Sequence, residues 1–271
     1  MTAVMMKNNL GSADATRKWS PNIWGGCPIE AIRNGRINGV VFEDDFTKGG
    51  LILSPTTTAA LGGIPYSGFG DAGSTHTYSD ELGGGITLTS DGTDNDATQL
   101  YSLTHVFQAG LTKGQLWFEA RIKPSNITST GIGWFCGLAD STAKTSAVVL
   151  TDTASALADL NLLGFHSLDT DTGDVKSCYK ANGVTAVDLE TVADAAAAAT
   201  YLKVGFKKNQ QGLMTFFINN LAQAATYQVL NDLGTAFPGD VTLAPCLSMA
   251  VGALTGSQTV IMSQWRCVQV F

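Results

Sequence analysis

Charge is scarce in this sequence. Only 14% of its 271 residues are Asp, Glu, Lys or Arg, against roughly a quarter in an ordinary soluble domain. Lys and Arg total 16 and the formal net charge is −7; the densest basic cluster is KVGFKK (203–208). A nucleic-acid partner demands a basic face that displaces counterions from phosphates, so neither DNA nor RNA is expected. No apolar run approaches the about 20 residues that a membrane-crossing helix needs, and no membrane partner is expected either. The opening MTAVMMKNNL lacks the charged start, apolar stretch and cleavage site of a secretory signal, which predicts synthesis and folding in a cytoplasm. The five cysteines, Cys27, Cys136, Cys178, Cys246 and Cys267, are odd in number and show no paired short spacing. That argues against a disulfide framework and against a zinc site and leaves buried free thiols. Only three histidines occur, His76, His105 and His166, none beside a nucleophile motif. No phosphate-cradling glycine loop is present, so no catalytic residue and no cofactor is assigned.

What the chain does have is glycine, 30 residues, with Thr, Ser, Asn and Asp crowded between apolar runs. That mixture suits many short strands joined by tight turns. GQLWFEARIKP (114–124) sets Leu116, Phe118, Ala120 and Ile122 on one face. Trp117, Glu119, Arg121 and Lys123 fall on the other, the period of a strand with one face inward. GITLTSD (85–91) alternates likewise, and GWFCGLAD (133–140), LNLLGFHSL (160–168), YLKVGFKK (201–208), LMTFFINN (213–220) and TVIMSQWRCVQVF (259–271) read as further strands. DTDTGD (169–174) and KNQQG (208–212) read as turns. One alanine-rich stretch, ETVADAAAAATY (190–201), predicts a helix of about three turns. No helices alternate with the strands, so a parallel α/β sheet is not expected. The expected fold is all-β, two antiparallel sheets packed face to face.

Residues 1–39 break the pattern. They carry Trp19, Trp24, Ile23, Ile29 and Ile32 with two prolines and a short helical possibility at PIEAIRNG (28–35). The reading is an N-terminal arm (1–39) followed by one sandwich (40–271). So much apolar surface must be covered, either by the chain's own sandwich or by other chains. The second is expected, with Trp19, Ile23 and Trp24 as the partner interface.

VVFEDDF (40–46) is similar to the opening strand of concanavalin A-like jelly rolls, the laminin-G and legume-lectin superfamily. GQLWFEARIKPSN, the hairpin YLKVGFKKNQQGLMTFFINN and the closing pair LAPCLSMAV…VIMSQWRCVQV resemble later landmarks of the same superfamily, in order, over residues 40–271. The resemblance implies a two-sheet antiparallel jelly-roll sandwich. The whole also resembles structural proteins of tailed-phage virions.

Glu43, Asp44 and Asp45 invite a catalytic reading, because a retaining glycosidase needs two carboxyls about 5 Å apart. Jelly-roll laminarinase-like hydrolases take theirs from an E-x-D-x-E strand, and that pattern occurs nowhere here. The three acids are therefore expected to cap a turn and solvate a strand end. Asp169, Asp171 and Asp174, and likewise Asp91, Asp94 and Asp96, have the oxygen density that calcium favours. They are equally good β-turn formers, and no metal ligand is assigned. Trp117, on the polar face of its strand, is the candidate for stacking on a sugar, as in lectins of this superfamily. The expected function is non-enzymatic: a phage virion component, a capsid decoration (cement) protein made in the host cytoplasm. Its partners would be the major capsid protein and further copies of itself. The alternative is a carbohydrate-binding module of a fibre or tail, with glycans as ligands.

Overall fold

The computed structural model describes residues 18–47, 58–61, 64–81, 83–144, 149–151, 153–232 and 235–271; the first 17 residues of the arm lie outside the described residues. Two short helices, α1 (Pro21–Trp24) and α2 (Ile29–Arg33), precede the strands. In chain order these are β1 (Gly39–Asp44), β2 (Thr58–Leu61), β3 (Ile64–Gly70), β4 (Thr75–Tyr78), β5 (Ile86–Thr89), β6 (Ala97–Ser102), β7 (Leu116–Pro124) and β8 (Ile132–Asp140). They continue as β9 (Leu162–Ser167), β10 (Val175–Lys180), β11 (Val187–Val192), β12 (Leu202–Lys208), β13 (Leu213–Ile218), β14 (Leu221–Gln228), β15 (Leu243–Val251) and β16 (Thr259–Val270).

The strands form two antiparallel sheets of eight. The first runs β14-β13-β12-β7-β16-β5-β4, with β1 also on β16, and the second runs β11-β10-β9-β8-β15-β6-β3-β2. β7 pairs along most of β16, while β5 and β1 divide the other edge between them: β5 takes 259–262 and β1 takes 265–270.

The alternation read from the sequence holds on the inner side. Leu116, Phe118, Ala120 and Ile122 are fully buried and meet Trp134, Cys136, Leu138 and Phe165 of the facing sheet in one core. In β16 the parity changes at a bulge between Met262 and Gln264, opposite Ile122 and Arg121. One extra residue there lets Val260 and Met262 on one side of it, and Trp265 and Cys267 on the other, all reach the same core.

The alanine-rich helix expected at 190–201 does not form. Its first residues belong to β11, and Asp194 and Ala199 adopt left-handed φ values of 51° and 52°. Helix propensity is worth only tenths of a kcal/mol per residue. Here the Ala196 amide donates to Gly173 O (2.9 Å), the Ala199 amide donates to Pro124 O (2.8 Å), and Ala196 is buried in the core. Tertiary partners override the local preference.

The acids of VVFEDDF are engaged by neighbouring residues. Asp44 accepts from the Phe46 amide (2.8 Å) and from the Tyr66 hydroxyl (2.8 Å). Tyr66 stacks on Trp265 with ring centres 5.8 Å apart and accepts from its indole N–H at 3.2 Å. Phe42 and Phe46 close the same aromatic group. Asp45 caps Thr47 (2.7 Å). Glu43 is not merely solvated: it pairs with Arg266 (2.5 Å) and Arg33 (2.6 Å).

Candidate functional site

The outer face of the first sheet should, by alternation, turn Trp117, Glu119 and Arg121 to solvent. They do face outward, yet all three are buried: residues of the 18–38 segment lie across Trp117 and Glu119, and Arg121 lies on the Tyr201 ring. Ser20 ends its extended run at Pro21, which occupies the first turn of α1, where a missing amide costs nothing. The Ser20 amide and hydroxyl donate to the two oxygens of Glu119 (3.0 and 2.8 Å), and the Trp24 indole N–H donates to the same carboxylate at 2.5 Å. Glu119 is completely buried and receives three charge-assisted bonds from one segment, the strong kind. Below it, Ile23 and Ile32 pack with Trp117, Phe217 and Val268. Ile23 sits over Gly205, where a Cβ would come within 2.6 Å of its Cδ1 and of Phe118 O.

Two expectations are corrected by this packing. Trp117 is 3% exposed under the arm and offers no ring face to a sugar. Ile23, 1% exposed, is held against the chain's own sandwich and not presented to a partner. The Trp pair is placed differently: Trp19 and Trp24 are only half-buried, meet edge to face at 6.0 Å, and lie against Arg266, whose guanidinium carbon is 4.0 Å from the Trp19 ring centre.

Beside the arm opens a cleft of about 530 Å³ lined by Lys18, Trp19, Ser20, Pro21, Arg121, Tyr201, Lys203, Asn219 and Asn220. The two asparagines form the tight β13–β14 turn at φ 50° and 66°, left-handed values that Asn tolerates better than most residues. Asn219 accepts from the Lys203 amide (3.0 Å), and Asn220 is tied to Asn22 of α1 (2.9 Å). Arg121 lies over the Tyr201 ring at 3.4 Å and donates to Ser263 (2.9 Å). The Lys203 ammonium donates to Lys18 O and stands 3.9 Å from Glu119. Apart from Trp19, expected at a partner interface, sequence reasoning placed none of these residues in a site; the cleft unites the arm with β7, β12 and the β13–β14 turn.

The outer face of the second sheet is covered as well. Ala143, Val149 and Leu160, from the connection between β8 and β9, pack on Tyr101, Phe135, Ala139, Leu162, Ala244 and Cys246. Gln99 fastens this cover, accepting from the Val149 amide (3.0 Å) and donating to Ala143 O. At its margin His166 pairs with Asp188 (2.8 Å).

In the aspartate turns the carboxylates are engaged by neighbouring groups. Asp171 accepts from Lys176 (2.7 Å) and the Leu168 amide (2.8 Å), and Asp174 accepts from the Asp194 amide (3.0 Å). Burial and the neighbouring Asp91 carboxylate push Asp96 up to about 6. Among the described residues no group of three or more His, Cys, Asp or Glu side chains is placed to hold a metal ion. All five cysteines are free; burial raises the half-buried Cys27 thiol to about 12, far from a reactive thiolate.

No family model matches the sequence, and no curated protein matches it significantly. Solved structures do match. A protein of unknown function from Shewanella oneidensis is 12% identical, with a TM-score of 0.56 over 90% of this chain and 94% of that one. Peanut lectin is 15% identical, TM-score 0.54, over 86% and 99%. The β-glucanase of Bacillus licheniformis is 13% identical, TM-score 0.52, over 83% and 96%. With these neighbours the fold is an all-β, two-sheet antiparallel jelly-roll sandwich of the concanavalin A-like kind. At such identities the likeness defines the fold and nothing finer.

Proposed function

We propose that this chain is a non-enzymatic structural protein of a phage virion, a capsid decoration protein that binds the outer shell and stabilises it beside the major capsid protein and its own copies. The observation that supports the non-enzymatic part is the covering of both outer sheet faces by the chain's own segments. The arm lies over β7, β12, β13 and β16, and the β8–β9 connection lies over β6, β8, β9 and β15. A polysaccharide hydrolase of this fold must lay its substrate along an open face with two carboxyls aimed at one bond. Here Glu119 is sealed under the arm, Glu43 is paired with two arginines, and Asp44 is bonded to Tyr66. The virion part rests on the resemblance to tailed-phage structural proteins and on the low charge of the surface. Shell attachment would then use the half-exposed Trp19–Trp24 pair, since aromatic side chains flanked by Arg are favoured in interfaces. Two measurements test the proposal. A tagged copy should co-sediment with intact phage particles and appear at regular positions in an image of them. Purified protein should release no reducing sugar from β-glucans. Absence from particles, or turnover abolished by Glu119→Gln, refutes it.

A further inference from the structure

We propose that the arm is exchangeable between copies of this chain: where copies are crowded, the arm of one seats on the sandwich of a second, and two chains close as an arm-swapped dimer. This rests on the reading that copies of the chain assemble, and it needs neither a virion nor a ligand. The polar bonds that fix α1 join it to elements far along the chain. Ser20 and Trp24 donate to Glu119, 99 and 95 residues away, and Asn22 donates to Asn220 O, 198 residues away. Lys203 and Lys207 donate in return to the carbonyls of Lys18 and Asn22. Ile23 and Ile32 pack with Trp117, Phe217 and Val268 in a cluster of their own, apart from the core between the sheets. None of these contacts requires arm and sheet to belong to one chain. A second copy offers the same seat with the same partners, the condition for exchange of an identical element.

The tether suits this exchange. Arm and sandwich are joined through residues 34–38, all five exposed. Within them Gly35 holds φ at 68° with open space beside it, and the chain reverses so that Ile32 returns onto Gly39 and Arg33 onto Glu43. In the exchanged form that reversal opens, and the contacts of Ile32 and Arg33 are remade on the neighbour with the rest of the arm. Opening buries no new group and frees a glycine, the residue that gives up most freedom when it is fixed. What is lost is the advantage of the tether alone. A short flexible tether presents its own arm at an effective concentration of about 1 mM. A lone copy therefore keeps its arm, and copies packed near that concentration exchange theirs. Glu119, sealed by donors of another chain, would then serve as the buried charged anchor of an interface.

Removal of residues 35–37 from the otherwise full chain tests the proposal, because the shortened tether cannot fold back but still reaches a neighbour. Light scattering should report a dimer at micromolar concentration, and adding Ile23→Asp should return it to a monomer. The unaltered chain supplies a second measurement. Refolded from urea at about 1 mM and then diluted, it should show a dimer fraction that is lost when refolding is done at micromolar concentration and is absent in Ile23→Asp. A monomeric shortened variant, or a dimer indifferent to Ile23→Asp, overturns the proposal. Should the shortened variant not fold, the refolding series decides alone, and a chain that stays monomeric at about 1 mM overturns it. No phage particle enters these measurements, so they and co-sedimentation fail separately.

Discussion

Ile23→Ala measures how firmly the arm belongs to its own sandwich. Ile23 is 1% exposed and packs against Trp117, Phe217 and Val268 above the dent left by Gly205. Truncating a buried isoleucine to alanine costs about 2–5 kcal/mol, the transfer term plus the cavity left behind. The cavity should close only in part, since Glu119, bonded to Ser20 and Trp24 on either side of residue 23, holds the arm in place. A loss of about 3 kcal/mol should lower Tm by roughly 6–10 °C in a domain of this size. Differential scanning calorimetry reads the shift, and urea denaturation reads the free energy. Gly205→Ala supplies the complementary perturbation: its Cβ meets Ile23 Cδ1 and Phe118 O, each at 2.6 Å, so it also destabilises. The double variant should then be less damaging than the sum, because Ile23→Ala removes one of the two clashes. If the arm were lifted from the sheet in solution, Ile23 would be a surface residue and its truncation would stay within about 0.5 kcal/mol. That result, with additive behaviour of the pair, would refute the docking and return Ile23 to the partner interface.

Glu119→Gln should weaken the arm without opening the core, because a carboxamide cannot accept from all three donors as the carboxylate does; trypsin should then cut after Lys18 or Arg33 several times faster than in the parent. Burial holds His76 down at about 4, with its Nε2 on the Thr98 hydroxyl at 2.7 Å. The unfolded chain takes a proton near pH 6.5 that the folded one refuses, so stability should fall as the pH drops from 6.5 toward 4, by roughly 3 kcal/mol in full. Denaturation series at both ends of that window should show the loss, and His76→Gln should flatten it. Lys208, fully buried with its ammonium on Gly110 O, is held by burial at about 8 against the usual 10.5. Stability should rise with pH between those values, and Lys208→Met should abolish that slope while leaving Gly110 O without its donor.

How much could be read in advance differs from residue to residue. The inner face of β7 was legible because alternation is local, and Leu116, Phe118 and Ile122 are where it puts them. The outer face was legible only as a direction. Whether Glu119 meets water or Ser20 depends on residues 99 apart in the chain, and no local pattern encodes that contact. The odd charges on a strand that also carries Trp117 were the available signal, since an outward tryptophan needs a cover. The alanine run at 190–201 failed for the opposite reason: its local preference was plain but weak, and Gly173 and Pro124 claimed its amides. The bulge in β16 also escaped, because it shows only as Met262 and Trp265 sharing a face at odd spacing. Of the cleft, the sequence showed separate lysines and asparagines; their meeting is a product of the docked arm.

The place of β16 governs the order in which this molecule can be assembled. Residues 259–270 form the spine of the first sheet, joined to β7 on one side and to β5 and β1 on the other. Until that segment leaves the ribosome, β1 has no partner strand, β7 has a bare edge, and β5 and β4 are a detached hairpin. A nascent chain therefore carries unpaired strand edges and the aromatic group around Tyr66 without Trp265 until residues 259–270 are made, the condition in which strands mispair between copies. Closure then comes late and all at once, over contacts distant in sequence, which makes for slow folding. A chain shortened before Thr259 should not yield a smaller sandwich but an aggregate. Yield in the cell should accordingly respond to chaperone supply and growth temperature more than to the stability of the finished fold.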